Sequence, residues 1–197
     1  VVPHGAPELV LAIRLGATTG LLAGAAAFAG QSWPRGHRLG LHLAAGAMLH
    51  GLYLTVSWWS VSRGMPAGIM SLLGATQPLM VAVASVALLG DRLPGRSWLG
   101  LFIAITGVVC VLMPAIESSD TTAVPVIPVL AGIFAIIAMT GGTLIQRGQI
   151  ASDPILMSGA AQNLGGTIVA VSATLIVGEW RWDNDPILWI GLGWSVL

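Results

Sequence analysis

The sequence predicts an all-α fold, a polytopic helical bundle that spans a membrane. Three observations carry the prediction. Hydrophobic residues make up 55% of the chain and charged residues 8%, where soluble domains carry about 25% charged residues. The apolar residues gather into seven runs, roughly 7–29, 39–62, 65–89, 98–114, 127–146, 154–177 and 186–197, and almost every charge falls in a short join between them. Each of the first six approaches the roughly 20 residues that a helix needs to cross a hydrocarbon layer of about 30 Å. Six such runs in series cannot all be buried inside one soluble domain of 197 residues. A transmembrane β-barrel would instead show alternating segments of about ten residues.

The first run carries Gly16, Gly20 and Gly24 at four-residue spacing, a stripe that lets a second helix approach closely. Arg14 lies about two turns inside it, where an arginine at the bilayer centre costs about 2.5–3.5 kcal/mol on insertion scales. It is read either as a snorkelling group paired with Glu8 or as an anion clamp facing a cavity. In the second run His42, Gly46, His50, Tyr53 and Ser57 share a face at helical spacing. His50 and Tyr53 lie near mid-depth, where a neutral imidazole beside a phenol hydrogen-bonds a substrate, carries a proton, or is satisfied by neighbouring helices.

In the third run Pro78 lacks an N–H, and its ring clashes with the carbonyl of Gly74. The predicted kink places freed backbone groups beside Thr76 and Gln77, as a binding feature or as a packing bend. The fourth run is the plainest, and Cys110 within it reads as a small apolar core residue. The fifth is made pliable by Thr140, Gly141, Gly142 and Thr143, with Gln146 at its end. The sixth carries Ser158, Gln162, Asn163, Gly165 and Gly166. Interhelical hydrogen bonding accounts for the Ser and Thr residues, whereas Gln162 and Asn163 near mid-run point to a site. The seventh run stops with the chain. The first residue is Val1 rather than Met, so both ends read as truncated.

The joins fall alternately on two sides. One holds Arg35, Arg38, Arg92, Arg96 and Arg147 with Asp91 and Asp153; the other holds Arg63 and Arg181 with Glu8, Glu117, Asp120, Glu179, Asp183 and Asp185. Five arginines against two make the first side cytoplasmic by the positive-inside rule. Trp33, Trp98, Trp180 and Trp182 near run ends fit the headgroup layer.

Several chemistries are excluded. The chain has no lysine, so it has neither a Walker A loop nor a Schiff-base amine for retinal or pyridoxal phosphate. A single cysteine gives no disulfide framework, and the four histidines do not fall at metal-ligand spacing. Formal charge is zero, so no basic patch addresses nucleic acid. All eight carboxylates lie at run ends or in joins, and the runs show no carboxylate pair, His–metal cluster or activated Ser. No catalytic residue, metal or cofactor is therefore expected. Proton coupling would fall to His50 or to segments not present, or transport would be downhill.

Placing Pro7 on Pro154 aligns Leu9 with Leu156, Ala23 with Ala170, Ala26 with Ala173, Trp33 with Trp180 and Gly46 with Gly193. The copies are five spans apart and so cross the membrane in opposite senses. Inverted repeats are a common construction of secondary transporters.

Five further segments carry a resemblance. Gly51-Leu52-Tyr53-Leu54 is followed by Gln77-Pro78-Leu79, then Leu88-Leu89-Gly90-Asp91-Arg92-Leu93, then Trp98-Leu99-Gly100 and Thr106-Gly107-Val108-Val109. Together with Ala12-Ile13-Arg14-Leu15 they resemble the EamA-domain branch of the drug/metabolite transporter superfamily. Asp91 stands where that family usually has Glu. The resemblance implies ten helices in two inverted five-helix repeats. Residues 1–115 would then be a first repeat lacking its first span, and 126–197 the start of a second, incomplete one.

The expected function is a secondary transporter that moves a small metabolite or drug-like solute by alternating access. His50, Tyr53, Gln77 and Gln162 would line its cavity, with Arg14 and Asn163 behind them and Pro78, Gly141 and Gly142 as hinge points. The alternative is a non-transporting scaffold or assembly subunit of a membrane complex. Expected partners are a small-molecule substrate and the lipid bilayer, with room for a homodimer and none for nucleic acid. The lysine-free, Ala/Gly/Arg-leaning usage points to a GC-rich bacterial genome and hence to the inner membrane.

Overall fold

The computed structural model describes residues 5–92, 94–100, 102–103, 106–107, 110 and 125–196. Prolines and glycines punctuate the helices. Helix α1 (Pro7–Phe28) opens on Pro7 with Glu8 in its first turn, where a missing N–H costs nothing and a carboxylate complements the helix dipole. Helix α2 (His37–Ser62) follows a short join. Helix α3 (Ala67–Leu89) starts after Pro66 and ends on Gly90 in the left-handed region, φ 71°. The described residues between 95 and 110 are helical and are labelled α4. Helix α5 (Val126–Ile150) follows Pro125, α6 (Ile155–Val177) follows Pro154 and ends on left-handed Gly178, and α7 (Pro186–Val196) completes the described chain. Helices α1, α2, α3, α5 and α6 are each long and apolar enough to cross a membrane. Of the residues singled out from the sequence, Leu93, Val108, Val109, Glu117, Asp120 and Leu197 lie outside the described set.

Among the described residues, three helices depart from regular geometry. Six residues of α2, Ala47–Leu52, form a π turn, and α5 ends in a second, Gln146–Ile150. Such turns are rare and concentrate at functional sites. Helix α3 breaks at Thr76, as Pro78 predicts: the Thr76 N–H and hydroxyl both donate to the Leu73 carbonyl, at 3.0 and 2.6 Å. Gly141 and Gly142, by contrast, lie in a regular stretch of α5, and its irregular turn starts only at Gln146.

Helices α1 and α6 run antiparallel and share an extensive interface, as do α2 and α6. Near one end the Ala6 N–H donates to the Arg181 carbonyl; near the other the Met157 N–H donates to Gln31 Oε1. Between them Leu11, Ala12 and Leu15 pack with Ala170. The glycine stripe of α1 carries little of this contact. Only Gly16 meets α6, at Thr167, while Gly20 and Gly24 face open space.

The glycines that matter lie around α2. A Cβ on Gly46 would overlap the backbone of Gln162, and one on Gly165 the backbone of Leu43. At Gly142 it would sit 2.9 Å from the Ala45 carbonyl oxygen, and at Gly166 it would sit 2.8 Å from His50 Cβ. Helix α2 is therefore held backbone to backbone between α5 and α6. Lipid offers no hydrophobic drive between helices, so close approach through small residues holds the bundle together.

The exterior is apolar. Phe28, Leu88, Phe134, Ile137, Ile168, Leu175 and Ile176 are exposed, as on a surface solvated by acyl chains. Among the described residues, most Ser and Thr hydroxyls donate to the carbonyl four residues earlier in their own helix, among them Thr18, Thr19, Ser60, Ser71, Thr140, Thr167, Ser172 and Thr174. The expected interhelical bonding of these groups is thus replaced by back-bonding, which hides a hydroxyl without a partner helix.

Substitutions at two glycines separate close packing from helix propensity. Gly165→Ala should lower stability in detergent by about 1–3 kcal/mol through overpacking. Gly20→Ala should be neutral or stabilising by up to about 1 kcal/mol. Thermal unfolding of the two purified variants measures the contrast.

Candidate functional site

The sequence-predicted polar residues separate into two groups, one on each side of α2. His50 lies in the π turn with its Cβ against Gly166 of α6, half-buried and within electrostatic reach of Arg14 on α1. The shared face expected for His50 and Tyr53 is split. The Tyr53 hydroxyl lies beside Gly74 of α3, and its ring packs against the cluster of Met65, Met70, Ala135 and Ile136. A π turn bonds i to i+5 and widens the helix, so the two side chains point toward different neighbours.

Gln77 follows the break in α3 and donates from Nε2 to Thr143 Oγ1 on α5 at 3.2 Å. Thr143 in turn donates to the Met139 carbonyl, 2.9 Å. Gln77 and Thr143 thus form a polar pair between α3 and α5, while the Tyr53 hydroxyl of α2 reaches α3 at Gly74, just before the break. Pro78 is exposed on the outer side of the break. Gln162 is only 4% exposed, and its Oε1 accepts a long bond, 3.4 Å, from Gln146 Nε2. Asn163 is turned to its own helix, with Nδ2 donating to the Gly159 carbonyl at 2.9 Å. Its face of α6, with Gly159 and Thr167, meets α1 at Leu22 and Gly16.

Sequence reasoning missed three features. The hydroxyls of Thr55 and Ser57 on α2 are enclosed without a protein hydrogen-bond partner, unlike the back-bonded hydroxyls elsewhere, and no local pattern signals this. The second is a triad at the arginine-rich end. Asp153, just before α6, binds Arg38 through both carboxylate oxygens, Nε to Oδ2 at 3.2 Å and a terminal guanidinium nitrogen to Oδ1. The same Oδ2 meets Nε2 of fully buried His42 at 2.9 Å. The third is Arg147, which donates to buried Ser85 Oγ at 2.9 Å and lies 2.9 Å from Asp91 Oδ2. This last pair is a charge contact without hydrogen-bond alignment. The signal available was opposite charges in joins assigned to the same side.

The two ends of the bundle differ. At the arginine-poor end a cavity of about 340 Å³ is lined by Pro7, Trp58, Val61 and Ser62. A second, of about 260 Å³, includes Glu8, Trp59, Arg63, Glu179 and Arg181. Arg63 lies over the Trp59 ring, 5.6 Å from its centroid. At the arginine-rich end a smaller cavity of about 190 Å³ is lined partly by Arg38 and Asp153 themselves.

An all-helical bundle with an apolar exterior, polar side chains turned inward and two irregular helices against a glycine-lined interface defines a multi-pass membrane protein. The sequence comparison assigns the class further. A model of the EamA-like transporter family matches residues 1–113, and the chain belongs to that family. No curated protein and no solved structure matches it.

The Gln77–Thr143 bond should contribute modestly to stability. A double-mutant cycle with Gln77→Leu and Thr143→Val should give a coupling of about 0.6 kcal/mol, the average for interhelical hydrogen bonds in a membrane. A coupling near zero would show that the bond is not made in the membrane.

Proposed function

We propose that the chain is the working part of a secondary transporter, and not an enzyme, which moves a small, largely apolar solute with a few hydrogen-bonding groups. The observation that carries this reading is the placement of Tyr53, Gln77 and Thr143 around the break in α3. There a kinked helix offers polar side chains inside a lipid-solvated bundle. Polar groups at depth are costly unless partnered, which is why they mark solute pathways. Gln77 and Thr143 satisfy each other in the absence of solute, and a solute bearing a donor and an acceptor can replace that mutual bond at little net cost.

His50 and Arg14, on the other side of α2, would form a second polar face that favours amphipathic or zwitterionic solutes. Gln162 and Asn163 would support α6 behind them. The antiparallel packing of α1 against α6 supports two repeats of opposite sense, and alternating access would then be a rocking of one against the other. The lysine-free composition supports placement in a bacterial inner membrane.

The test is flux in proteoliposomes, screened over small metabolites. Removing one hydrogen bond to solute costs about 0.5–1.5 kcal/mol. Gln77→Ala should therefore reduce flux about three- to tenfold at sub-saturating solute, with His50→Ala similar and insertion unchanged. Normal flux in both variants would refute the site.

A further inference from the structure

We infer that Arg38–Asp153 and Arg147–Asp91 are paired gate bridges that hold the arginine-rich end of the bundle shut. The inference rests on the transport reading above. Each bridge joins the stretch before residue 111 to the stretch after residue 124, and the two are reciprocal. In one the base comes from the first stretch and the acid from the second; in the other the assignment is reversed. Both lie at the end where the described residues of the joins 29–37, 89–92 and 150–155 meet.

The bridges sit where they can control movement. Asp153 immediately precedes α6, so pulling on it moves the helix that is packed backbone to backbone on α2. Arg147 lies in the π turn that ends α5, so its release frees the least regular segment of that helix. Leu89 at the end of α3 lies close to Gly148 in the same turn, which adds an apolar contact to the second bridge. Among the described residues, the cavities beside Trp58, Trp59 and Arg63 at the other end are larger than the one beside Arg38 and Asp153. The bundle is thus tied at one end and accessible at the other.

The bridges are also built to break. Arg38 and Arg147 have side chains 54% and 56% exposed, and exposed ion pairs are weak because water competes for both partners. A fully buried pair would lock the bundle instead. His42 adds a directional contact that brings Asp153 back to the same position each time the bridge re-forms. The arrangement also accounts for the carboxylate in the Gly90-Asp91-Arg92 turn: Asp91 is one half of a bridge.

The test measures access from each side. In a Cys110→Ser background, Thr140→Cys provides a buried reporter on α5, and a membrane-impermeant methanethiosulfonate is applied to oriented vesicles. The parent should label slowly from the arginine-rich side. Asp91→Asn with Asp153→Asn should raise that rate about tenfold or more, a shift of the open population. The charge exchanges Arg38→Asp with Asp153→Arg, and Arg147→Asp with Asp91→Arg, should restore slow labelling. Arg38→Gln and Arg147→Gln break the same bridges from their exposed ends should the carboxylate variants fail to insert. An unchanged rate, or an equal rise in the control Arg35→Gln, would overturn the gate. Flux through the Gln77 variant is read separately, so a failed gate and a failed transport reading give different results.

Discussion

The arrangement depends on one contact, the backbone approach of α2 to α6 and α5. Gly46 against Gln162, Gly165 against Leu43 and Gly142 against Ala45 leave no room for a side chain. In a solvent as apolar as leucine, distance between backbones rather than apolar burial decides how strongly helices associate. That approach fixes where the π turn of α2 lies, and the π turn decides which way His50 and Tyr53 face. Moving α2 outward by one methyl group would separate the residues on which the proposed solute site depends.

A second consequence concerns α3. Its break at Thr76 is local in origin, the product of a proline without an N–H and a carbonyl it cannot tolerate. What the break accomplishes is tertiary. It turns Gln77 toward Thr143 and leaves the second segment, Gln77–Leu89, to end beside the π turn of α5, where Ser85 and Asp91 meet Arg147. Gln77, proposed to face solute, and Ser85, which meets Arg147 of one proposed bridge, thus lie on a single helical segment of 13 residues, so displacement of one is felt at the other.

Much of this was legible in the sequence. Run lengths, the segregation of charge into joins and the Pro/Gly punctuation gave helix order and threading, because lipid imposes a simple rule on composition. Pro78 announced its kink because proline acts on its own helix. The π turns were not legible: nothing in the residues of Ala47–Leu52 or Gln146–Ile150 signals them. The same limit explains the glycines. Gly16, Gly20 and Gly24 had the regular spacing of a packing stripe but mostly face open space, whereas Gly46, Gly165 and Gly166 bear the contact. Spacing shows that a helix can be approached and does not show from where. Arg38, Asp153, Arg147 and Asp91 were visible only as a charge bias, because pairing across more than fifty residues is a property of the fold.

Disulfide trapping within the membrane tests the central packing most directly. In a Cys110→Ser background, cysteines at Gly51 and Val169 should cross-link under mild oxidation: a Cβ at Gly51 would lie 2.5 Å from that of Val169, and the two helices need part by only about 1 Å to reach the roughly 3.5–4.5 Å of a disulfide. Cysteines at Gly20, which faces open space, and Val169 should not cross-link. A cross-link in the second pair and none in the first would contradict the placement of α2 against α6, and with it the site and the bridges that depend on it.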